Sequence, residues 1–251
     1  MDTKAETVER LTARLEAGIE LRGRVRTDAE ATRRRLLLRD WQSDRLARTH
    51  VDLLADERFH DTAEFFLTEL YGAKDTVKRD ADIARVVPTI AKMLPIWGLE
   101  TVADAIELDT LSEVLDVDMV SALGPRVETI DAAAYGAAYR KVGRRAEREH
   151  QIDLIEHLGH ALDHLTHHAF TGTALTLMRR PARLAGFGDL QTFLEDGYRA
   201  FRKMGGADEF LERIVSRERA VMTALFDGDD TVLDDEEEDR ERTTGEDRPW
   251  T

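Results

Sequence analysis

Apolar residues recur along most of the chain every three to four positions, and strand-like alternation of Val, Ile and Thr is almost absent. That contrast predicts an all-α fold, a single bundle-like domain of about eight or nine helices. A first amphipathic helix is expected over 4–21, with Val8, Leu11, Leu15 and Ile19 on one stripe and Gly23 ending or bending it. Thr27, an N-cap type followed by Asp28 and Glu30, opens a second pattern that carries Leu37, Trp41 and Val51. It meets no breaker before Leu54, a helix of about 40 Å at about 1.5 Å per residue.

Asp61 and Glu64 have the spacing of a capping box, opening a helix through Phe65, Phe66 and Leu70 that stops at Gly72. Asp75 or Thr76 opens the next, kinked near Pro88 and ended by Pro95. Leu99 to Leu123 reads as one helix or two, closed by Gly124-Pro125. Thr129 or Asp131 starts a long stretch towards Phe170, with a break near Gly143. A short helix over 172–178, a Pro181-started turn to Gly186, a helix from Asp189 to Met204 closed by Gly205-Gly206, and a last helix from Asp208 to Phe226 complete the body.

The helical domain is therefore placed at 1–226. Beyond it, residues 227–251 hold 12 acids against 3 arginines, too little apolar surface to offset the entropy of ordering, and they are expected to form a disordered acidic tail. That tail carries −9 of the formal charge of −15 and leaves the body at −6, which on average repels nucleic acid and anionic membranes. One segment departs from this balance. Nine arginines against four acids between Arg22 and Arg48 give a local +5, suited to a phosphate-bearing partner, to the acidic tail or simply to a solvated face.

The absence of cysteine removes disulfides, thiolate metal sites and thiol nucleophiles. The N-terminal run has no apolar core of the signal-peptide kind, and no apolar run approaches the ~20 residues of a membrane span, so a cytoplasmic protein is expected.

Three stretches carry a resemblance. They are Trp41-Gln42, Arg45-Leu46, Thr49 and Asp52-Leu53-Leu54; Phe65-Phe66-Leu67-Thr68-Glu69-Leu70-Tyr71-Gly72 with Asp75, Arg79 and Asp80; and Met178 to Gly186 (MRRPARLAG) followed by Leu190-Gln191, Phe193-Leu194-Glu195, Gly197 and Ala200-Phe201. Together they resemble an uncharacterised bacterial all-helical family, a domain of unknown function, over about 30–225. The resemblance implies one helical domain and no particular activity.

Five of the eight histidines crowd into His157, His160, His164, His167 and His168. With His157 at zero, His164 falls near about −20°, His168 near about +20°, Asp153 near about −40° and His160 near about −60°, one face bordering the leucine stripe. Histidines four apart can chelate one divalent ion, although one helix seldom completes a site, and a solvated or packing face is the competing reading. Glu57-x-x-His60 and Glu147-x-x-His150 have the spacing that di-metal carboxylate bundles use on two helices, but so short a pattern also arises by chance here. Glu69, Tyr71, Asp75, Arg79 and Asp80, with Arg179, Arg180 and Arg183, are the ligand-pocket candidates, against caps and surface ion pairs as the plainer account.

No nucleophile elbow, dinucleotide fingerprint, P-loop or His-Glu-x-x-His is present. The residues point first to a helical interaction or scaffold protein, as a homodimer or with a protein partner. The alternatives are a divalent-metal protein or di-metal oxidase-like enzyme, and a small-ligand-binding protein.

Overall fold

A computed structural model of the chain describes residues 3–26, 28–70, 96–168, 170–184 and 188–234. Among the described residues there is no strand, and ten α-helices hold most of them. They are α1 (Lys4–Arg26), α2 (Ala29–Thr49), α3 (Val51–Ala55), α4 (His60–Phe65), α5 (Ile96–Leu123), α6 (Ala132–Val142), α7 (Arg145–His167), α8 (Thr171–Leu184), α9 (Gly188–Met204) and α10 (Asp208–Asp227). A π-turn (Phe66–Leu70) follows α4, and 3-10 turns (Gly124–Glu128 and Thr231–Leu233) follow α5 and α10.

Helix α5 lies at the centre, covered by α1 along one side and contacting α2, α6 and α7 elsewhere. It supplies all three apolar clusters: Ala103 and Ile106 under Leu11 and Leu15 of α1, Leu108 in the cluster of α4, α7 and α9, and Met119 and Leu123 in the cluster of α2, α6 and α10. Helices α7 and α10 also span two clusters. Leu154 and Ile155 of α7 with Phe210 and Leu211 of α10 pack on one side, Ile152 with Val221 and Met222 on the other. Phe66 touches Phe201 and Phe210 at ring distances of 5.9 and 5.6 Å, while Phe65 meets Phe193 at 5.3 Å.

Several boundaries differ from the sequence reading, each for a local reason. Helix α1 continues past Gly23, and its buried stripe is Thr7, Leu11 and Leu15, leaving Ile19 40% exposed. Asp28 caps α2, its carboxylate accepting from the Glu30 and Ala31 amides. The long second helix breaks at His50, because α10 holds the chain there: His50 Nε2 meets Glu218 at 3.0 Å, and Arg217 donates to the Thr49 carbonyl and to Asp52. Val51, just past the break, is exposed.

The Asp61/Glu64 capping box does not form; no side chain caps α4, and Asp61 instead accepts from Lys203 at 2.8 Å. Leu99 to Leu123 belongs to one helix. The break at Gly143 is real: Gly143 and Arg144 both have positive φ, the second a strained position for a side chain, and Arg144 pairs with Asp118. Helix α8 runs through Pro181 rather than stopping there, since the carbonyl of Leu177 that loses its donor lies at an exposed position where water can serve it.

Residues 227–234 stay packed on the body. Leu233 is buried, and Asp230 clamps Arg140 through two hydrogen bonds of 2.6 and 3.0 Å. The expected helix over 75–95 with its Pro88 kink, the stop at Gly72 and the acidic stretch 235–251 lie outside the described residues.

Candidate functional site

Five helices each turn one mixed stripe towards a shared interior point. In α7 the stripe is Arg148, Gln151, Ile152 and Ile155; in α10 it is Glu218, Val221, Met222 and Leu225. Both have the i, i+3, i+4, i+7 spacing of a single helix face, with a charge at one end, followed by Gln151 and two isoleucines in α7 and by apolar residues alone in α10. Helix α2 adds Arg39, Gln42, Arg45 and Leu46, α5 adds Ser112 and Asp116, and α6 adds Tyr135 and Tyr139. Between them lies a cavity of about 90 Å³ lined by both polar and aliphatic side chains.

The ionic partners on this wall are mostly matched. Arg39 donates from Nε to Asp116 at 2.8 Å and from Nη2 to Glu113 at 3.0 Å, and Arg35 also pairs with Glu113, one of the most buried charges in the protein. Arg45 donates to both Glu218 oxygens at 2.7 and 2.8 Å. Burial alone would raise the Glu218 carboxyl, but the Arg45 charge and the His50 hydrogen bond outweigh it and hold it down at about 2. Burial pushes the Tyr139 phenol up, so it remains a neutral donor.

Arg148 is the exception. Its residue is only 7% exposed, its guanidinium lies 4.7 Å over the Tyr139 ring, and its one protein acceptor is Gln151 Oε1 at a long 3.4 Å. Nε and Nη2 meet no protein acceptor. Those two N–H groups form one edge of the guanidinium fork, the edge that suits a two-oxygen anion. Neighbouring polar groups are held in place: Gln42 Nε2 donates to the Tyr135 hydroxyl at 3.4 Å, Tyr135 stacks on Trp41 at 4.3 Å, and Gln151 Nε2 donates to Ser112 at 2.8 Å.

The residues singled out from sequence are scattered instead. His150 meets Glu107 at 2.9 Å, and Glu107 also pairs with Arg14 of α1. His157 meets Asp104 at 2.9 Å, and burial raises the Asp104 carboxyl although the His157 charge opposes it. His160 approaches Asp208, Asp153 pairs with Arg219, and His164 and His168 pack on Trp97 at 5.8 and 6.0 Å. The shared histidine face exists, yet His157 and His160 meet different carboxylates, while His164 and His168 share Trp97 and contact each other at 4.7 Å. Glu57 lies in the turn before α4, outside any helix, while His60 bonds the Leu54 carbonyl; nothing joins them to Glu147 and His150. Among the described residues no group of three or more His, Asp or Glu could hold an ion.

Of the ligand-pocket candidates, Arg179 is engaged by Glu195 at 2.7 Å, and Arg180 and Arg183 are exposed on α8. Tyr71, Asp75, Arg79, Asp80 and the Glu69 side chain lie outside the described residues. Apart from Arg39 and Arg45, which lie in the arginine-rich segment, the cavity residues were absent from the sequence candidates, although a signal existed: Arg148 and Glu218 each sit on a helix face that also carries core residues. The arginines of α2 are not wholly solvated. Arg35, Arg39 and Arg45 are matched internally, and Arg33 pairs at the surface with Glu30 and Glu128.

A family model described as a domain of unknown function, DUF8198, matches residues 21–232, and the chain belongs to that family. No curated protein and no solved structure matches it significantly. No helix among the described residues is long and apolar enough to cross a membrane.

Proposed function

We propose that this is a small-ligand-binding protein and that the cavity enclosed by α2, α5, α6, α7 and α10 is its site. One observation carries the reading: Arg148, a nearly fully buried guanidinium that keeps two donors no protein group accepts, is among the residues that line the cavity. Buried charges are ordinarily paired, because an unpaired one is costly, and departures from that rule concentrate where a ligand completes the site. The family resemblance supports the placement, since Gln42 and Arg45 belong to the first of its three motifs. A cysteine-free chain of this kind fits a reducing cytoplasm.

The test is thermal unfolding of the full chain against a panel of small charged and neutral metabolites. Saturable stabilisation is expected, and Ile152→Phe, which fills the cavity with apolar volume, abolishes it. If no compound stabilised the native chain more than it stabilised Ile152→Phe, the proposal would fall.

Protein interaction is a second reading, favoured by the outer face of α8. Phe170, Leu177 and Leu184 recur every seven residues and are 83, 71 and 81% exposed. Helix α8 carries three arginines and no acid, so an acidic partner suits it better than a second copy, whose arginines would repel. Sedimentation velocity decides about the copy: a dimer dispersed by Leu177→Glu would establish it, and a monomer at all concentrations would remove it.

A further inference from the structure

We infer that the groove between α8 and α9 docks one amphipathic α-helix of a partner protein, its apolar seam along the outer stripe of α8 and its acidic flank against Arg180, Arg183 and Arg202. This rests on the protein-interaction reading and adds the form and chemistry of the partner.

The stripe is Phe170, Ala174, Leu177, Pro181 and Leu184, all exposed and spaced 4, 3, 4 and 3 residues apart. Ala174 donates to the Phe170 carbonyl at 2.8 Å, so Phe170 keeps the helical register. At about 100° per residue the five positions share about 80° of arc, while Ala182, the buried position of α8, lies about 120° from their centre. Helix α8 therefore carries a second apolar face, turned outward. Steps of four and three residues form the seam by which one helix takes the side chains of another, and an extended chain does not match them.

Charge sets the flank of the partner. Thr173, Thr176, Arg180 and Arg183 lie along one edge of the stripe, and there the groove opens towards Tyr198 and Arg202 of α9. Arg202 donates to the Tyr198 hydroxyl at 2.7 Å, and among the described residues no carboxylate pairs with Arg180, Arg183 or Arg202. Arg202 stands by Gly172 at the start of α8, with Arg180 and Arg183 about 12–17 Å further along. An acidic helix matches both ends. A second copy would add three more cations, and laid antiparallel it would set its Arg202 on the level of Arg180 and Arg183. The acidic stretch 235–251 has the charge, but with Pro249 and Trp250 as its only large apolar residues it has no seam to fill the stripe. A bilayer is disfavoured by Pro181, which leaves the Leu177 carbonyl on the stripe without its helical donor; lipid cannot serve that carbonyl, and a polar side chain of a partner can.

Fluorescence anisotropy of three stapled helical peptides against the full chain, at about 0.15 M salt, tests this. One has leucines in steps of four and three flanked by glutamates, one the same leucines flanked by lysines, and one is a scramble of the first. The acidic peptide is expected to bind saturably, the other two at least about tenfold more weakly. Leu177→Glu, at a position 71% exposed, and the double variant Arg180→Glu/Arg183→Glu should each weaken the acidic peptide at least about tenfold. Lysine-flanked binding as tight as the acidic, and lost in Leu177→Glu, would overturn the acidic chemistry and keep the interaction reading. A scramble that binds equally, or acidic-peptide binding unchanged in Leu177→Glu, would overturn the docking site. A dimer dispersed by Leu177→Glu, or cosedimentation with phosphatidylserine-containing vesicles abolished by it, would overturn the proposal in favour of a second copy or a bilayer. The full chain carrying Asp235→Asn, Glu236→Gln, Glu237→Gln, Glu238→Gln and Asp239→Asn would assign the face to the tail if it bound the acidic peptide at least about tenfold more tightly. Failure of all three peptides to bind would overturn the proposal, and a monomer at all concentrations would then remove the interaction reading with it.

Discussion

Replacing Arg148 by methionine should stabilise the ligand-free protein, an unusual direction for a buried substitution. Arg148 is 7% exposed, with Nε and Nη2 lacking a protein acceptor and Nη1 making one long bond of 3.4 Å. The effective penalty for burying an unmatched ion is several kcal/mol. Against it stand the contact with the Tyr139 ring, about 2 kcal/mol when desolvated, and one weak hydrogen bond, about 1 kcal/mol. Water admitted to the cavity would relieve part of the penalty, so Arg148→Met is expected to gain about 1–3 kcal/mol, the range seen when buried ions give way to apolar groups.

Arg45→Met is the matched control. It strips Glu218 of the partner that donates to both its oxygens, and leaving that carboxylate buried should cost about 3–5 kcal/mol. Urea unfolding followed by far-UV circular dichroism measures both, with an unchanged m-value confirming that the same surface is exposed. A loss of more than about 1 kcal/mol in Arg148→Met at constant m would show that Arg148 is a structural group already satisfied in the fold, and the reasoning for a ligand site would fail.

Acid should unfold the protein partly through Glu218. Its folded pKa of about 2 lies below the ordinary glutamate value, so its contribution is complete above about pH 5 and is lost as pH falls from there towards 2; Arg45 and His50 make it worth about 3 kcal/mol, read from urea midpoints across that window. Gly136→Ala should loosen the C-terminal end of the body. A Cβ there would overlap the Asp230 carboxylate and break its bonds to Arg140, costing about 1–3 kcal/mol and exposing residues 228–234 to limited proteolysis. Phe201→Ala, at a fully buried ring in contact with Phe66, should cost about 3–5 kcal/mol by thermal unfolding.

The all-α class, the turns at Gly124, Gly143 and Gly205-Gly206, and the Asp131 cap follow from the chain alone, because periodicity, left-handed glycines and capping side chains act within a few residues of themselves. The Asp131 carboxylate accepts from Ala134 at 2.7 Å, and the three turns carry positive φ as a glycine permits. The break at His50 was not legible, since nothing near residue 50 in sequence interrupts the helix; Glu218 and Arg217 do so from α10, 168 residues away in the His50 pair. The same limit hid the site. Residues 148 and 218 look like ordinary charged positions until packing turns their faces inward, whereas the histidines stood out through density alone, and His157 and His160 pair with different carboxylates while His164 and His168 pack on Trp97. Local chemistry thus settled the helical class and the stops at Gly124, Gly143 and Gly205. Which charges are buried, which of them are matched, and the position of the Arg148 guanidinium were decided only by the tertiary structure, because burial and pairing are properties of neighbours distant in sequence.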